Sequence, residues 1–423
     1  MVKFGSIKKV SLCSLFLFLT GLCFAGNITQ WRGEKRDGVY TESGLLKSWS
    51  AEGPELLQVF ENCGAGYGSP VLNDGKIYLT GSDEENEFLS CFNAKGKLLF
   101  RTNFSKIWHG AFPNARCTPT YADGVLYIVS IQGKALAISA ETGKLLWRVP
   151  VWEKYQGRWG TWGACESPLI YEGKMIVTPA GKLTTMMAFN VKNGKPVWRT
   201  ISLRDKSAYV SPILIEHNGI KQIINVTSSY IFAVDPDKGK IVWKVNYKKI
   251  SVENSGSPGA FGINTNTPIF HNGSIFVTSG YDHACVMLKL NEDATDTRVV
   301  WKSGVLDTHH GHVVLVDGYL YGSNWLSNQR GNWTCLNWQT GEKMWEKKWK
   351  NKGAIISADG MLYCYVEKGG YFGLVEATPK EFNLISSFKI KKGTGMHWSH
   401  PVISDGKLYV RHGTTLMLYD IKM

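Results

Sequence analysis

The sequence lacks several features that define large classes of proteins. Beyond the first 25 residues it has no apolar run long enough to cross a bilayer, and after residue 30 it has no long helical periodicity. It contains no Cys-x-x-Cys-His motif, which excludes a covalently attached c-type haem. No Pro- or Ser-rich linker divides the chain. These absences predict an almost pure β protein without a transmembrane span.

The first 25 residues have the pattern of a secretory signal peptide. A basic start precedes a short apolar run at residues 10–20, and Cys23-Phe24-Ala25 offers a cleavage site. Cys23 leaves lipidation open as an alternative, although Leu22 stands where a lipoprotein signal has a small residue. We expect residues 1–25 to be removed and residues 26–423 to form a periplasmic or secreted protein.

A short phrase ending in tryptophan occurs four times. Each copy has a small residue ten positions before the Trp and a glycine four positions before it. The copies lie at 137–147, 188–198, 233–243 and 335–345. The glycine suits a tight turn between strands because it adopts positive φ without steric cost. The fixed spacing predicts that each indole docks on the neighbouring repeat.

A second phrase, Ser/Thr-Pro followed by an alternating strand, opens the repeats. Counting back from the turn glycines adds three openings without Ser or Thr, so that the eight openings are Ser69, Thr118, Ser167, Ser211, Thr267, His312, Ala354 and His400. Strand-rich repeats of about 40–50 residues indicate propeller blades of four strands. We therefore predict an all-β fold, an eight-bladed β-propeller in a single domain. The last blade is one strand short, and we expect residues 56–60 to complete it and close the ring.

The residues just before each opening are expected to ring the mouth of the channel. Two positions before the openings lie Tyr67, Arg116, Cys165, Tyr209, Thr265, His310, Lys352 and Trp398, and one position before lie Gly68, Cys117, Glu166, Val210, Asn266, Gly311, Gly353 and Ser399. Asp307, His309 and His312 follow closely behind them. Charges and rings that converge in a concave site predict a ligand site. The alternative is a water-filled channel with an ordinary polar lining.

Histidine and cysteine leave further alternatives open. His310 and His312 share a face of an extended segment, and with His109, His309, His397 and His400 they are candidates for a transition-metal site or for ordinary hydrogen-bonded side chains. Seven cysteines remain after residue 25, and an odd number leaves at least one thiol unpaired. Cys117 and Cys165 are candidates for a disulfide between consecutive blades.

The formal net charge of +13 falls to about +10 (13−3) when the three lysines of the signal peptide are removed. Basic runs at 347–352 and 389–392 indicate either attraction to an anionic glycan, lipid head group or envelope protein, or a solvated rim. We expect no nucleic-acid partner, because no binding motif is present, and we expect a monomer.

The Thr-Gly-Lys…Trp phrase and the count of eight blades resemble the quinoprotein-type propellers of pyrroloquinoline quinone (PQQ) dependent alcohol dehydrogenases. BamB-type assembly scaffolds of the outer membrane have the same fold and bind no quinone. The dehydrogenase resemblance implies Ca²⁺ held by Glu166 and Asn266, Asp307 as the base, Arg116 or Lys352 on the quinone oxygens, and Trp398 stacked on the ring. His310 completes the cofactor-contacting set. The adjacent cysteine pair that covers the quinone in that family is absent here.

Two functional hypotheses follow. The first is an exported binding or scaffold protein of the cell envelope, which needs export, a rigid propeller and variable face loops. The second is a PQQ- and calcium-dependent, alcohol dehydrogenase-like oxidoreductase that uses the central funnel. Because a fold does not fix a function, the arrangement of the funnel residues has to decide between them.

Overall fold

The computed structural model describes Met1, residues 26–251 and residues 262–423. The predicted signal peptide and the middle of the long connection at 250–266 lie outside the described residues.

Eight antiparallel sheets form the eight blades, in chain order from blade 1 to blade 8. Blade 1 consists of Val71–Asn73, Lys76–Ser82, Asn86–Asn93 and Leu98–Lys106, and blade 2 of Thr120–Ala122, Val125–Val129, Lys134–Ser139 and Leu145–Pro150. Blade 3 consists of Leu169–Tyr171, Lys174–Val177, Met187–Asn190 and Pro196–Arg199, and blade 4 of Ile213–His217, Ile220–Val226, Tyr230–Val234 and Ile241–Asn246. Blade 5 consists of Ile269–His271, Ser274–Val277, Cys285–Leu290 and Thr297–Ser303, and blade 6 of Val313–Val316, Tyr319–Ser323, Trp333–Asn337 and Lys343–Lys347. Blade 7 consists of Gly353–Ala358, Met361–Val366, Tyr371–Glu376 and Leu384–Lys389. The prediction of an eight-bladed, all-β propeller is confirmed.

Blade 8 combines both ends of the chain. Its strands are Val402–Ser404, Lys407–His412, Thr415–Asp420 and the N-terminal strand Leu56–Phe60, which pairs antiparallel with Thr415–Asp420. A further short strand, Val39–Tyr40, pairs parallel with the first strand of blade 7. The helical elements are a four-residue α-helix, Val151–Lys154, and a 3₁₀ turn, Tyr247–Lys249. No helix in the described residues is long and apolar enough to cross a membrane.

The first hairpin of every blade has the same turn chemistry. Two residues connect the strands, the second is always glycine, and both adopt positive φ, as at Asn218-Gly219 with φ of 51° and 79°. This backbone matches the right-handed twist of paired strands, and Asn-Gly or Asp-Gly is the usual sequence for it. The repeated turn fixes the register of the first two strands of every blade.

Tryptophans hold neighbouring blades together at the periphery. Trp198 pairs across its own blade with Ala188, as the spacing predicts, and its ring lies over Gly239 of the next blade. Its indole Nε1 donates a hydrogen bond to Pro236 O at 2.9 Å. Equivalent contacts join Trp147 to Gly194 and Trp301 to Gly341. We call these three contacts the outer clamps.

The hydrophobic core lies between the faces of neighbouring blades. Between blades 1 and 2, for example, the buried side chains include Val71, Tyr78, Leu89, Leu126, Ile128, Leu136 and Ile138. Each blade is therefore covered on both faces, which leaves the inner ends of the strands to line the channel.

Candidate functional site

A cavity of about 370 Å³ occupies the mouth of the central channel. All but one of the residues two positions before the blade openings line it: Tyr67, Arg116, Cys165, Tyr209, Thr265, His310 and Trp398. The exception, Lys352, is buried behind the wall. Residues one position before the openings point into the joints between blades, because successive side chains of an extended chain face opposite ways. We call this cavity the funnel.

The walls of the funnel are largely aromatic. The Trp398 ring lies 5.0 Å from the Tyr67 ring and 5.1 Å from the Phe112 ring, between ring centroids. Trp162 packs against Tyr209 at 5.5 Å. Phe112 and Trp162 come from the two longer connections, at 105–115 and 152–164. These connections therefore build the funnel mouth, as loops on a rigid scaffold commonly do.

One side of the wall contains an ion-paired group that is already bonded within the protein. Lys352 Nζ forms a buried ion pair with Glu367 Oε1 at 2.7 Å and donates to Ser327 O at 2.9 Å. Glu367 Oε2 lies 3.2 Å from His310 Nε2. Burial, the largest influence, lowers the pKa of His310 below its ordinary value despite Glu367. His310 is therefore a neutral ring at neutral pH, oriented by a carboxylate.

Arg116 is held by the two connections. Its Nη1 donates to Trp162 O at 2.6 Å, and its Nη2 donates to Ala111 O and Phe112 O. Its Nε is buried without a partner in the described residues. The guanidinium thus fixes both connections and keeps one N–H group unused.

The floor of the funnel is formed by the segment at residues 30–39, which we call the N-terminal knot. Trp31 packs edge-on against His312 and His400, with ring centroids 4.6 and 5.6 Å apart. His400 Nε2 lies 3.1 Å from His312 Nδ1, and His400 Nδ1 lies 3.1 Å from Arg32 Nη1. Since arginine can only donate, His400 Nδ1 accepts and the His400 proton resides on Nε2, which faces both His312 Nδ1 and His310 O. Burial lowers the pKa of both histidines well below the ordinary value.

Two arginines of the knot extend to opposite sides of the ring. Arg32 donates to Ile355 O and Val313 O, in blades 7 and 6. Arg36 donates to backbone oxygens on the other side, at the openings of blades 3 and 4: Ser167 O, Pro168 O and Pro212 O. Both arginines have positive φ, near 60°, which is uncommon outside glycine and is maintained by these bonds. The knot thus ties the two halves of the propeller together below the funnel.

The predicted metal pair lies in two separate joints. Glu166 Oε2 accepts from Thr178 N at 3.0 Å, and its other oxygen has no partner in the described residues. Burial raises the pKa of Glu166 to about 8, so the carboxyl is mostly protonated at neutral pH. Asn266 donates to Thr308 O, and its oxygen accepts the backbone N–H of His312 at 3.1 Å.

The predicted base is also committed to the scaffold. Asp307 is buried outside the funnel lining, and its two oxygens accept the backbone N–H groups of Asp282 and Trp325 at 3.0 and 3.1 Å. Burial raises the pKa of Asp307 to about 7.

A calcium-bound quinone does not fit this donor set. Calcium needs ionised or carbonyl oxygens that are free to converge, whereas Glu166, Asn266 and Asp307 each bond to different backbone groups of the scaffold. In the described residues, no cluster of three or more His, Cys, Asp or Glu side chains could hold a metal ion. The roles proposed for Glu166, Asn266 and Asp307 stay predictions, and their hydrogen bonds count against them.

The cysteine and histidine alternatives also have a structural outcome. All seven cysteines are free thiols, including Cys117 and Cys165, so the predicted disulfide is not formed. His310 and His312 both line the funnel, as their shared face predicts, and His309 and His400 line it too, but no three of these side chains are grouped so that they could hold a metal ion in the described residues.

Sequence reasoning did not identify several individual residues that build the site. Trp31 lines the floor, Arg32 and Arg36 lie beneath it, and Glu367 orients His310 from the wall. The polar segment Gln30–Val39 precedes all blades, and its sequence predicts a plug or strap on one face of the propeller, but it does not single out these three side chains. Glu367 gave no signal, because it follows a strand rather than a blade opening.

Comparisons with known proteins agree with this architecture. The crystal structure of BamB from Moraxella catarrhalis superposes with a TM-score of 0.63 at 15% identity, covering 87% of this chain and 100% of that one. Quinohemoprotein alcohol dehydrogenase from Comamonas testosteroni superposes with a TM-score of 0.67 at 12% identity, covering 93% and 80% of the two chains. At these identities the likeness shows the fold alone.

Sequence comparison adds a curated relative and a family. Tetrathionate hydrolase of Acidithiobacillus ferrooxidans is 26% identical over 316 residues, which are 71% of this chain and 51% of that protein, so the chain spans about half of the relative's length. The family model described as outer membrane protein assembly factor BamB matches residues 41–149 and 85–347, well over half of the chain. The protein therefore belongs to the BamB-type family of PQQ-like repeat propellers.

Proposed function

We propose that the protein is an exported binding or scaffold protein of the cell envelope, and that its funnel binds an apolar or aromatic group of the ligand. One observation carries this proposal: the funnel is a preformed concave site with aromatic walls, in which Arg116, Glu367 and His310 are already bonded internally. Such a site offers contact area to rings and methyl groups without requiring a charged ligand group at its walls.

The exposed rim supports binding rather than mere packing. Phe112 and Met396 both keep 40% of their surface exposed at the funnel mouth. Apolar side chains left in water at a concave rim are typical of binding sites. The BamB-type family suggests a protein of the envelope as the source of the bound group, and a small molecule of the same chemistry would use the same walls.

The quinone-dependent alternative gains no support from the donor set, and no observation favours a second activity. The tetrathionate hydrolase relative is roughly twice as long as the matched region, so its activity carries no argument here.

Export is the other half of the proposal. We expect the mature chain to begin at Gly26 and to occur in the periplasmic or secreted fraction. N-terminal sequencing of protein purified from cell fractions tests this directly. An intact Met1 on protein from the cytoplasmic fraction would refute export.

The binding proposal is tested by calorimetric titration with 2-naphthamide, a neutral aromatic probe. Phe112→Ala and Trp398→Ala should weaken binding by about tenfold, or about 1.4 kcal/mol, because each removes one wall. The matched control is Leu146→Ala on an outer strand, since Leu146 is 46% exposed and Phe112 is 40% exposed. Absence of binding at millimolar probe, or equal affinities in all four proteins, would contradict the proposal.

A further inference from the structure

We propose that the floor of the funnel binds an anionic head group, so that the ligand is an organic carboxylate or sulfonate whose apolar body lies between the aromatic walls. This inference rests on the proposed function, since it names the ligand class of the same site. It follows from the charge of the residues beneath the funnel and from the unused hydrogen-bond donors on its lining.

Three arginines are buried outside the funnel lining, where they bond to the segments that form it. Arg32, Arg36 and Arg411 are 2%, 3% and 0% exposed. Their hydrogen bonds reach neutral groups such as Ile355 O, Ser167 O and Gly68 O. None of the ion pairs found among the described residues involves an arginine. Three cations are therefore buried with no carboxylate in direct contact.

These arginines keep their charge at neutral pH. Burial lowers the pKa of each guanidinium, but to about 10, so all three remain protonated. Glu166 acts on Arg36 and Asp37 acts on Arg32 across space, but neither carboxyl forms an ion pair with its arginine among the described residues. A buried charge without a counterion costs several kcal/mol. An anion at the funnel floor would reduce that cost, whereas a cation would increase it.

Unused donors lie on the funnel lining above Arg36. Ser167 Oγ accepts from Thr118 N at 3.1 Å, and Ser211 Oγ accepts from Ser167 N at 3.0 Å. Each hydroxyl therefore keeps its hydrogen to donate, and no acceptor for either is found among the described residues. Both serines line the funnel, and Arg36 donates to Ser167 O directly below.

Two further nitrogens on the lining lack partners. Arg116 Nε and His312 Nε2 are both buried without a hydrogen bond in the described part of the chain. Arg116 Nε carries a proton and can only donate. An unmade hydrogen bond to a buried donor costs about 1–3 kcal/mol. The lining thus calls for a ligand that brings acceptor oxygens.

The proposed ligand therefore has an anionic end that faces the floor and an apolar end that faces the mouth. Its carboxylate or sulfonate lies near the floor, beside Ser167, Ser211 and the Nε of the wall residue Arg116, and its rings or alkyl groups contact Trp398 and Phe112 at the mouth. No metal ion takes part, because Glu166, Asn266 and Asp307 bond to separate backbone groups.

The test compares 2-naphthoate with 2-naphthamide by calorimetry on the mature chain. The two probes have the same size and differ in charge. We expect naphthoate to bind at least tenfold more tightly, with no effect of added Ca²⁺. Arg116→Gln and Ser211→Ala should reduce that preference to threefold or less. Arg148→Gln is the matched control, because Arg148 is also a cation that donates to a backbone carbonyl, Phe104 O, but lies outside the funnel.

The outcomes separate the two proposals. Equal affinity for both probes would overturn the anion inference and leave the binding proposal intact. Binding of neither probe would refute both. A naphthoate preference that survives in both funnel variants, or that requires Ca²⁺, would overturn the assignment of the anion to these donors.

Discussion

The outer clamps and the N-terminal knot perform the same task by opposite means. An outer clamp joins two neighbouring blades by placing an indole on a glycine, as Trp198 does on Gly239. The knot joins blades on opposite sides of the channel through charged side chains, with Arg36 bonded to blades 3 and 4 and Arg32 to blades 6 and 7. The clamps are apolar, peripheral and repeated, whereas the knot is polar, central and unique.

This difference separates contacts that only stabilise the fold from contacts that have a further role. A clamp gains contact area from an aromatic ring and leaves no charge unpaired. The knot buries two guanidinium groups against neutral carbonyls, and burying a charge without a counterion costs folding free energy. This cost has a function if the resulting positive charge beneath the funnel also attracts the ligand.

Breaking the knot should have the largest effect. Arg36→Met leaves the buried carbonyl oxygens of Ser167 and Pro212 without their donor, while Pro168 O keeps Thr120 Oγ1, and unpaired buried groups cost about 1–3 kcal/mol each. We expect the free energy of unfolding in urea to fall by about 3–5 kcal/mol. Arg148→Met, which removes one exposed guanidinium–carbonyl bond, should cost less than about 1 kcal/mol. Similar losses in the two variants would show that the knot is not a structural tie.

Breaking a clamp should cost somewhat less. In Gly239→Ala, the new Cβ would lie 2.5 Å from the Trp198 ring at a residue with φ of +65°. Left-handed strain of about 1–2 kcal/mol and overpacking of about 1–3 kcal/mol predict a loss of about 2–4 kcal/mol. Gly219→Ala in the same blade controls for the strain, since φ is +79° there and nothing lies within 4 Å of the added carbon. Equal losses of unfolding free energy in the two variants would mean that the Trp198 ring moves aside without destabilising the protein.

The repeated half of the comparison is the half that the sequence could predict. The Trp–Gly spacing recurs in four copies, and two of their indoles, those of Trp147 and Trp198, lie on a glycine of the next blade. The third clamp, at Trp301, lacks the glycine of that spacing. The Ser/Thr-Pro openings recur as well and position the blades. The alternation of side chains along each opening then identifies the funnel ring from Tyr67 to Trp398. Period and spacing are local properties, and a linear sequence records them directly.

The unique half could not be predicted in the same way. The partners of Arg36 lie more than 130 residues further along the chain, and they are backbone oxygens, which leave no mark on residue identity. Glu166 and Asn266 were assigned to the funnel by residue type, but the side chains one position before the openings turn into the blade joints. Residue type indicates what a side chain can bind, whereas its direction depends on the register of the strand that follows.

A pH series of unfolding measurements tests whether Glu166, and therefore the group beside Arg36, is charged. The folded pKa of Glu166, about 8, lies above its ordinary value near 4.5, so between these pH values the unfolded chain has lost a proton that the folded chain retains. The contribution of Glu166 to stability is therefore highest below pH 4.5 and decreases as the pH rises towards 8. Glu166→Gln should make the slope of unfolding free energy in that range shallower by up to about 1.4 kcal/mol per pH unit. A steeper slope, or a loss of stability at pH 7 from breaking an ion pair with Arg36, would show that Glu166 is ionised and that the floor is neutral.

The smallest effect should come from removing one hydrogen bond of a clamp and keeping its ring. Trp198→Phe preserves an aromatic contact with Gly239 and deletes the bond from the indole to Pro236 O. Phenylalanine is compatible with the position, since Phe100 of blade 1 already lies against Gly143 of blade 2 in the same way. We expect a loss of about 1 kcal/mol, the net value of one hydrogen bond, by urea unfolding. A loss as large as that of Gly239→Ala would mean that the polar contact, rather than the apolar one, holds neighbouring blades together, and the distinction between clamp and knot would then be one of position alone.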